Sequence, residues 1–289
     1  MLTLNVADLS LPDRQNYLQH AIVPRPICFA STVDRDGHVN LSPFSFFNLF
    51  STNPPICVFS PSRRGRDNTT KHTLDNILEV PECVINLVSY DMVQQTSLAS
   101  VEYPKGVNEF VKAGFTELPS QLIKPPRVAE APVQFECIVN RVIPLGDKGG
   151  AGNLVIAEIK LMHISESILD TNGKIDQLKT DFVARMGGDW YCRANRENLF
   201  KVPKPNTQIG IGIDALPEAI RHSKILTGND LGQLGNLTCF PDKAIVDVYV
   251  KEHKNPVGLT ERELHIAAQS MIAGGKPDEA LLLLLAADL

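Results

Sequence analysis

The sequence predicts a mainly β protein: a small antiparallel barrel with helical insertions and a helical C-terminal extension. Three observations predict it. Short apolar runs of strand composition recur between residues 27 and 166, tight turns separate them, and the clearest helical patterns come late, at residues 260–289. Many short strands joined by turns are typical of sheets that close on themselves.

The first strands form a hairpin. Residues 27–33 are apolar and rich in β-branched or small side chains, Asp34-Arg-Asp-Gly37 is a turn, and residues 38–42 return. Residues 146–152 form a glycine-rich reversal between two longer strands. The remaining predicted strands are 55–60, 83–88, 133–145 and 153–166.

Helices are predicted from caps and prolines. Asp8 or Ser10 can cap an N-terminal helix with Pro12 in its first turn, and Thr260-Glu-Arg-Glu263 is a capping box. Gly274-Gly275 ends that last helix, and Pro277 starts another, so residues 260–289 are predicted to be a helical hairpin. Further helical segments are expected at 73–80, 90–100 and 108–113 and after Pro217. Composition changes after Val202-Pro-Lys-Pro205, which predicts domains at 1–205 and 206–289.

Composition excludes several classes of protein. The net charge of −5 argues against a nucleic-acid-binding face, and no apolar run is long enough for a membrane helix. The N-terminus lacks the pattern of a secretory signal, and the six cysteines lack the spacing of a zinc site or a disulfide framework. We therefore expect a cytoplasmic protein with reduced thiols, no metal, and neither a membrane nor a nucleic-acid partner.

One segment suits a flat heteroaromatic ring. Pro24-Arg-Pro-Ile27 and Ser31-Thr32 precede Asn40-Leu-Ser-Pro-Phe-Ser-Phe-Phe-Asn48. Hydroxyls and backbone N–H groups can bind the polar edge of a ring while apolar side chains cover its face. Taken alone, this segment is better explained as a hairpin whose edge is interrupted by proline.

A second segment has a phosphate-binding composition. Ser60-Pro-Ser-Arg-Arg-Gly-Arg66 and Asn68-Thr-Thr-Lys-His-Thr73 follow a strand and precede a helix. Guanidinium and ammonium groups neutralise phosphate, and a helix start adds N–H donors. The alternative is a solvated basic loop. A P-loop is excluded because GxxxxGK[ST] is absent, and Gly210-Ile-Gly-Ile-Asp-Ala215 lacks the preceding strand of a Rossmann site.

In order and spacing, these segments resemble the flavin reductase-like family, the FMN-binding split barrels that include flavoredoxin. The resemblance spans roughly residues 17 to 195. It rests on Pro24-Arg-Pro-Ile27, Ser31-Thr32, Asn40 to Phe46, Pro54-Pro55, Ser60, Lys71 with Thr73, Asn76-Ile77, Val84-Ile-Asn86, Asn108-Glu-Phe110 and Arg185-Met-Gly-Gly188 with Tyr191. His72 stands where the family usually has an acidic residue, and we expect it to start the helix without contacting a ligand.

The resemblance implies a Greek-key split β-barrel, a homodimer, and FMN near the dimer interface. It assigns Ser42, Pro43, Phe44 and Ser45 to the isoalloxazine ring, and Ser60, Arg64, Lys71 and Thr73 to the phosphate. Arg64 is chosen over Arg63 and Arg66 by position alone. Arg185 and Tyr191 are expected at the flavin edge or the substrate, or else in a tight turn before a terminal helix.

The implied function is an FMN-dependent oxidoreductase that moves electrons from NAD(P)H, or another donor, to a small-molecule or protein acceptor. Because the flavin does the chemistry, no catalytic side chain is assigned. The alternatives are an FMN electron carrier or redox sensor without NAD(P)H turnover, and a helical docking module in the C-terminal extension. The sequence leaves open the acceptor, the choice of NADH or NADPH, the role of the extension, and whether FMN is retained or released.

Overall fold

The computed structural model describes residues 1–203, 208–252 and 259–286. The chain divides into two compact units, Met1–Phe200 and Lys201–Leu289. Among the described residues, no helix combines the length and the apolar character needed to cross a membrane.

The first unit contains twelve strands and four α-helices. The strands are β1 (Arg25–Pro26), β2 (Cys28–Val33), β3 (Val39–Phe44), β4 (Phe47–Thr52), β5 (Pro55–Phe59), β6 (Glu82–Leu87), β7 (Glu117–Leu118), β8 (Arg127–Val128), β9 (Val133–Pro144), β10 (Asn153–Ile164), β11 (Phe182–Arg185) and β12 (Tyr191–Ala194). The helices are α1 (Leu11–Ala21), α2 (His72–Glu79), α3 (Val93–Leu98) and α4 (Glu109–Ala113).

The main sheet has seven antiparallel strands in the order β3-β2-β6-β9-β10-β5-β4. Strands β3 and β4 therefore lie at opposite ends of this order, yet only Ser45 and Phe46 connect them in the chain. Two residues span less than about 10 Å, so the sheet must curl until the end of β3 lies near the start of β4, although these two strands do not pair with each other. The Ser60 N–H donates to the Phe46 carbonyl at 2.9 Å and so extends the β4–β5 pairing up to this connection. Sequence patterns predicted the β2–β3 hairpin, which is confirmed, but they missed β1, β4, β7, β8 and both strands of the β11–β12 hairpin.

Strand β2 is buried along its whole length because both of its faces are covered. Its alternate residues enter two different cores, since successive side chains of a strand point to opposite faces. Cys28 and Ala30 pack in the barrel interior with Phe44 and Phe59. Phe29 packs on the other face, against a cluster that includes Phe110 of α4. The helical insertions α3 and α4 are thus attached to the outside of the barrel by apolar contacts.

All six cysteines are free thiols, as the sequence predicted. Cys28, Cys57, Cys83 and Cys137 lie in the barrel interior, and burial there raises the pKa of Cys28 well above its ordinary value. Burial raises the pKa of the Cys57 thiol to about 11. These four side chains therefore act as small apolar residues of the core.

Glu136 of β9 binds the 119–128 loop to the barrel through hydrogen bonds. Its fully buried carboxylate accepts hydrogen bonds from the N–H groups of Gln121 at 2.8 Å and Leu122 at 2.7 Å, and its Oε1 lies 2.8 Å from Nε2 of His163. Burial acts to raise the pKa of Glu136, but these hydrogen bonds outweigh it, and the pKa is lowered below its ordinary value of 4.5.

We expect Glu136→Gln to lower the free energy of unfolding by about 1–3 kcal/mol at pH 7, because an amide cannot accept all of these bonds. A carboxyl with a lowered pKa stabilises the fold fully above its unfolded-state pKa, and this contribution is lost as the pH falls through its folded-state value. The difference in the free energy of unfolding between wild type and variant should therefore become smaller as the pH falls below about 4.5. Urea unfolding across pH checks this, with exposed Glu197→Gln as control; a gap that stays constant with pH would contradict the assignment.

The second unit is helical among its described residues. Its helices are α5 (Glu218–Arg221), α6 (Gly228–Gly235), α7 (Lys243–Glu252), α8 (Glu261–Ala273) and α9 (Pro277–Leu285). The predicted capping box of Thr260 and Glu263 is present, and a second, unpredicted one joins Thr227 and Asp230. Leu-rich α9 packs its apolar side into the core of this unit. Because α6 and α7 were missed, the prediction of a mainly β chain was wrong for the whole chain, which combines antiparallel sheets with C-terminal helices.

Candidate functional site

A groove in the first unit follows the end of β3, near the start of β4. It contains three adjoining recesses, named here by one residue each. The Ser45 recess, about 220 Å³, is lined by Ile27, Pro43, Phe44, Ser45, Thr96, Ser97, Ser100, Arg185 and Tyr191. The Lys71 recess shares Ser100 with it and is lined also by Asn40, Ser42, Arg64, Lys71, His72, Thr73, Val101, Glu102, Tyr103 and Glu109. The Tyr90 recess, about 420 Å³, shares Ser97, Arg185 and Tyr191 with the Ser45 recess.

The Ser45 recess is built on the two-residue connection between β3 and β4. Phe44 turns into the barrel core and packs against Phe59, with ring centroids 5.5 Å apart. Pro43, Phe44 and Ser45, all predicted to line a flavin ring, lie in this recess. The recess therefore presents apolar surface beside hydroxyl groups, the combination that suits a flat heteroaromatic ring.

Arg25 holds the wall behind Ser45. It is 7% exposed, and its guanidinium donates to the carbonyls of Gln19 at 2.5 Å, Ile22 at 2.7 Å and Met186 at 2.9 Å. Its Nε lies 3.4 Å from Oγ of Ser45. One buried side chain thus joins the end of α1, the β3–β4 connection and the β11–β12 hairpin. Arg25 belongs to the Pro24-Arg-Pro-Ile27 motif, but no sequence pattern predicted a role for it.

Arg185 and Tyr191 face each other across the β11–β12 hairpin, between the Ser45 and Tyr90 recesses. Nη1 of Arg185 donates to the Tyr191 hydroxyl at 2.7 Å, and the guanidinium lies 4.7 Å from the centre of the tyrosine ring. Gly187 packs directly against His20. A Cβ at this position would lie 2.0 Å from the imidazole, so the close approach requires glycine. The segment is a turn between two strands, so the expectation of a terminal helix after it was wrong.

The Lys71 recess brings together the cations predicted from the 60–73 segment. Nε of Arg64 lies 3.0 Å from Oε1 of Glu102, and Nζ of Lys71 lies 3.6 Å from the same oxygen. Arg66 reaches the other oxygen, Oε2, at 2.5 Å. Arg63 turns away and binds Asn68 through its Nε at 2.7 Å. Arg64, Lys71 and Arg66 therefore contact one carboxylate, that of Glu102, whereas Arg63 does not.

Thr73 and Ser60 were both assigned to the phosphate, but they lie in different places. Thr73 lines the Lys71 recess but is buried, and its hydroxyl donates to Oδ1 of Asn40 at 2.7 Å. Ser60 lines none of the three recesses. It is buried against Gly152, where an added Cβ would lie 2.5 Å from the serine Oγ, and that oxygen has no hydrogen-bond partner among the described residues.

Glu109 supports the floor of the Lys71 recess and was missed as a site residue. This buried carboxylate accepts from Nδ2 of Asn40 at 2.9 Å and from the Leu41 N–H at 2.9 Å. Burial raises the pKa of Glu109 despite these hydrogen bonds. The motif Asn108-Glu-Phe110 was the available signal, but Glu109 is 68 residues from Leu41, with β4, β5 and β6 between them, so no local pattern reveals the contact.

His72 is the first residue of α2, as expected, and it also lines the Lys71 recess. Burial, together with the charge of Arg64, lowers the pKa of its imidazole. Neutral His72 therefore supplies a polar wall to the recess without adding a full charge.

Comparison with known proteins agrees with this architecture. A protein of uncharacterised function from Aquifex aeolicus is 39% identical over 181 residues, which are 63% of this chain and 90% of that protein. Nitrilotriacetate monooxygenase component B from Bacillus cereus has a similar structure, with a TM-score of 0.65 and 28% identity over 70% of this chain and 98% of that chain.

A third similar protein is a split-barrel protein from Shewanella frigidimarina, described as a candidate flavin reductase. It gives a TM-score of 0.59 and 26% identity over 69% of this chain and 96% of that one. The sequence profile of the flavin reductase like domain matches residues 20–179, more than half of the chain and most of the first unit. The chain therefore belongs to the flavin reductase-like family, and the profile covers the seven strands of the main sheet and the Lys71 recess.

Proposed function

We propose that this protein is an FMN-binding oxidoreductase, in which electrons pass from NAD(P)H or another donor through FMN to an acceptor. One observation carries the proposal: a cation cluster and an apolar, hydroxyl-lined recess lie side by side in one groove and share Ser100. FMN has the matching arrangement of a phosphate at one end and a flat ring at the other. FMN supplies reversible two-electron chemistry when it is bound.

The residues present fit the phosphate. Arg64, Arg66 and Lys71 already surround one carboxylate, that of Glu102, so the cluster is arranged to hold an anionic oxygen pair. Arg64 and Lys71 would neutralise the phosphate, and Thr73 would hold Asn40 in place. Ser42, which the resemblance assigned to the ring, lines this recess and not the Ser45 recess, so we place it beside the phosphate. Ser60 would pack in the barrel wall against Gly152 and would not contact the phosphate. At the other end, Pro43, Phe44 and Ser45 would bind the ring.

The Tyr90 recess supports a second ligand beside the flavin. It opens directly from the Ser45 recess, past Arg185 and Tyr191. Arg193 also lines it and lies 3.7 Å from the centre of the Tyr90 ring. Arg193 is paired with Asp181, and Asp189 also lines the recess, so Arg185 is the cation of this lining without a carboxylate partner among the described residues. A guanidinium group beside tyrosine rings suits an anionic heteroaromatic partner such as NAD(P)H. Arg185 would then stand between flavin and donor.

The test is spectroscopic. Purified protein should show the absorption of oxidised flavin, directly or after titration with FMN, and acid release should yield FMN and not FAD. Anaerobic NADH or NADPH should bleach that absorption at a rate consistent with turnover. Binding of FMN without reduction by either nucleotide would favour the alternative of an electron carrier or redox sensor. Failure to bind any flavin would reject the proposal.

We also propose a homodimer. Strand β4 is an edge of the main sheet, and it exposes Leu49 at 53% and Phe50 at 69%. An exposed apolar edge strand is normally covered in solution. Light scattering should give twice the mass of one chain, and Phe50→Asp should shift the protein toward monomer. A wild-type monomer at micromolar concentration, with full flavin occupancy, would contradict this part of the proposal.

A further inference from the structure

Glu102 lies in the segment between α3 and α4 and faces the cations that the proposed function assigns to phosphate. Its Oε1 is 3.0 Å from Nε of Arg64 and 3.6 Å from Nζ of Lys71, and its Oε2 is 2.5 Å from a terminal nitrogen of Arg66. Both carboxylate oxygens are therefore paired with cations of one cluster.

These contacts are shielded only in part from water. The Arg64 side chain is 13% exposed, whereas those of Lys71 and Glu102 are 30% and 33% exposed. Partial burial acts to raise the pKa of Glu102, but the hydrogen bond from Arg64 and the charges of Lys71 and Arg66 outweigh it and lower the pKa. The side chain is consequently an anion at neutral pH, held where any other anion would need the same donors.

We propose that Glu102 is a built-in competitor for the phosphate-binding cations, which weakens FMN binding and keeps the flavin exchangeable. The inference rests on the proposed function. A phosphate entering the cluster must either displace the carboxylate, which loses its ion pairs, or share the cations with it and meet its repulsion. Either course lowers the net affinity for FMN.

Riboflavin distinguishes this role from a general effect on the groove. It has the ring and the ribityl chain of FMN but no phosphate, so it has no need of Arg64 or Lys71. The competitor should therefore act on FMN and leave riboflavin unaffected. The consequence is a protein that takes up and releases FMN, instead of one that retains it as a permanent prosthetic group.

The experiment compares wild type with Glu102→Gln, which keeps the shape of the side chain and removes its charge. FMN and riboflavin are titrated separately by flavin fluorescence at low and at high salt, and FMN release is followed by stopped flow. Exposed Glu166→Gln is the control for a change in net charge, and Glu102→Asp restores the carboxylate.

We expect Glu102→Gln to bind FMN about tenfold more tightly, as suits a partly exposed charge pair. FMN release should slow, and riboflavin affinity should stay within about twofold. The gain should shrink at high salt, because ions screen exposed charges. Glu166→Gln and Glu102→Asp should resemble wild type.

Two results would overturn the competitor role while leaving the proposed function standing. FMN affinity unchanged in Glu102→Gln would show that the carboxylate does not compete. Weaker FMN binding would show that Glu102 instead positions the cations. If the wild type binds neither flavin, the proposed function itself fails and Glu102 has no flavin to compete with.

Discussion

Replacing Arg64 or Lys71 by alanine is expected to weaken FMN binding by about one to two orders of magnitude while riboflavin binding changes little. Each cation would donate a charge-assisted hydrogen bond to the phosphate, which contributes roughly 1.5–3 kcal/mol. Riboflavin lacks that group, and the Ser45 recess, which would hold its ring, contains neither side chain.

The structure supplies graded controls for this prediction. Arg63 lies on the same loop but binds Asn68, so Arg63→Ala should affect FMN less than Arg64→Ala. Arg66 is 71% exposed, and its replacement should have an intermediate effect. Titration of both flavins against the four variants checks this order. Equal loss of FMN and riboflavin affinity in every variant would rule out the cation cluster as the phosphate site.

Replacing Arg25 by methionine is expected to weaken FMN and riboflavin alike and to destabilise the first unit by about 3–4 kcal/mol. Methionine fills a similar volume but leaves the carbonyls of Gln19, Ile22 and Met186 without their donor, and buried unpaired polar groups are costly. Loss of the Arg25 contact to Ser45 also frees the β3–β4 connection. Both flavins should respond because this connection would hold the ring that they share.

Urea unfolding and flavin titration together check the role of Arg25. Arg25→Lys keeps the charge but cannot reproduce the forked geometry, so it should restore only part of the stability. Exposed Arg35→Met serves as the control for removing an arginine. If Arg25→Met retained wild-type stability, or weakened FMN alone, Arg25 would not be the residue that supports the ring recess.

The two sets of variants test the two ends of the groove separately. Variants of the Lys71 recess should distinguish FMN from riboflavin, whereas variants behind the Ser45 recess should not. A single pair of ligands thus reports which end of the groove a substitution has changed, without requiring the electron acceptor to be known.

The sequence by itself determined the features that depend on neighbours along the chain. An apolar run followed by the Asp34-Arg-Asp-Gly37 turn predicts the β2–β3 hairpin, glycine-rich composition predicts the reversal between β9 and β10, and Thr260 with Glu263 predicts the start of α8. The local concentration of basic residues between Ser60 and Thr73 likewise predicts a cation cluster before α2. Order and spacing of several such motifs were enough to identify the family.

The tertiary structure decided which of these residues share a recess. Arg25 binds a carbonyl 161 positions away, and Glu109 binds β3 across 68 residues. Ser60, although it opens the basic segment, is turned against Gly152 by the register of β5 and β10. Glu102 reaches Arg64, Lys71 and Arg66 across more than thirty residues.

The physical reason is the closure of the sheet. Backbone propensity and side-chain period act over a few residues, so they specify strands and helix ends but not which strands meet. Here the two-residue connection between β3 and β4 forces a seven-stranded sheet to curl until the end of β3 lies near the start of β4. That closure, with α3 and α4 packed outside it, places Arg25, Glu102 and Glu109 around residues whose chemistry the sequence had already revealed.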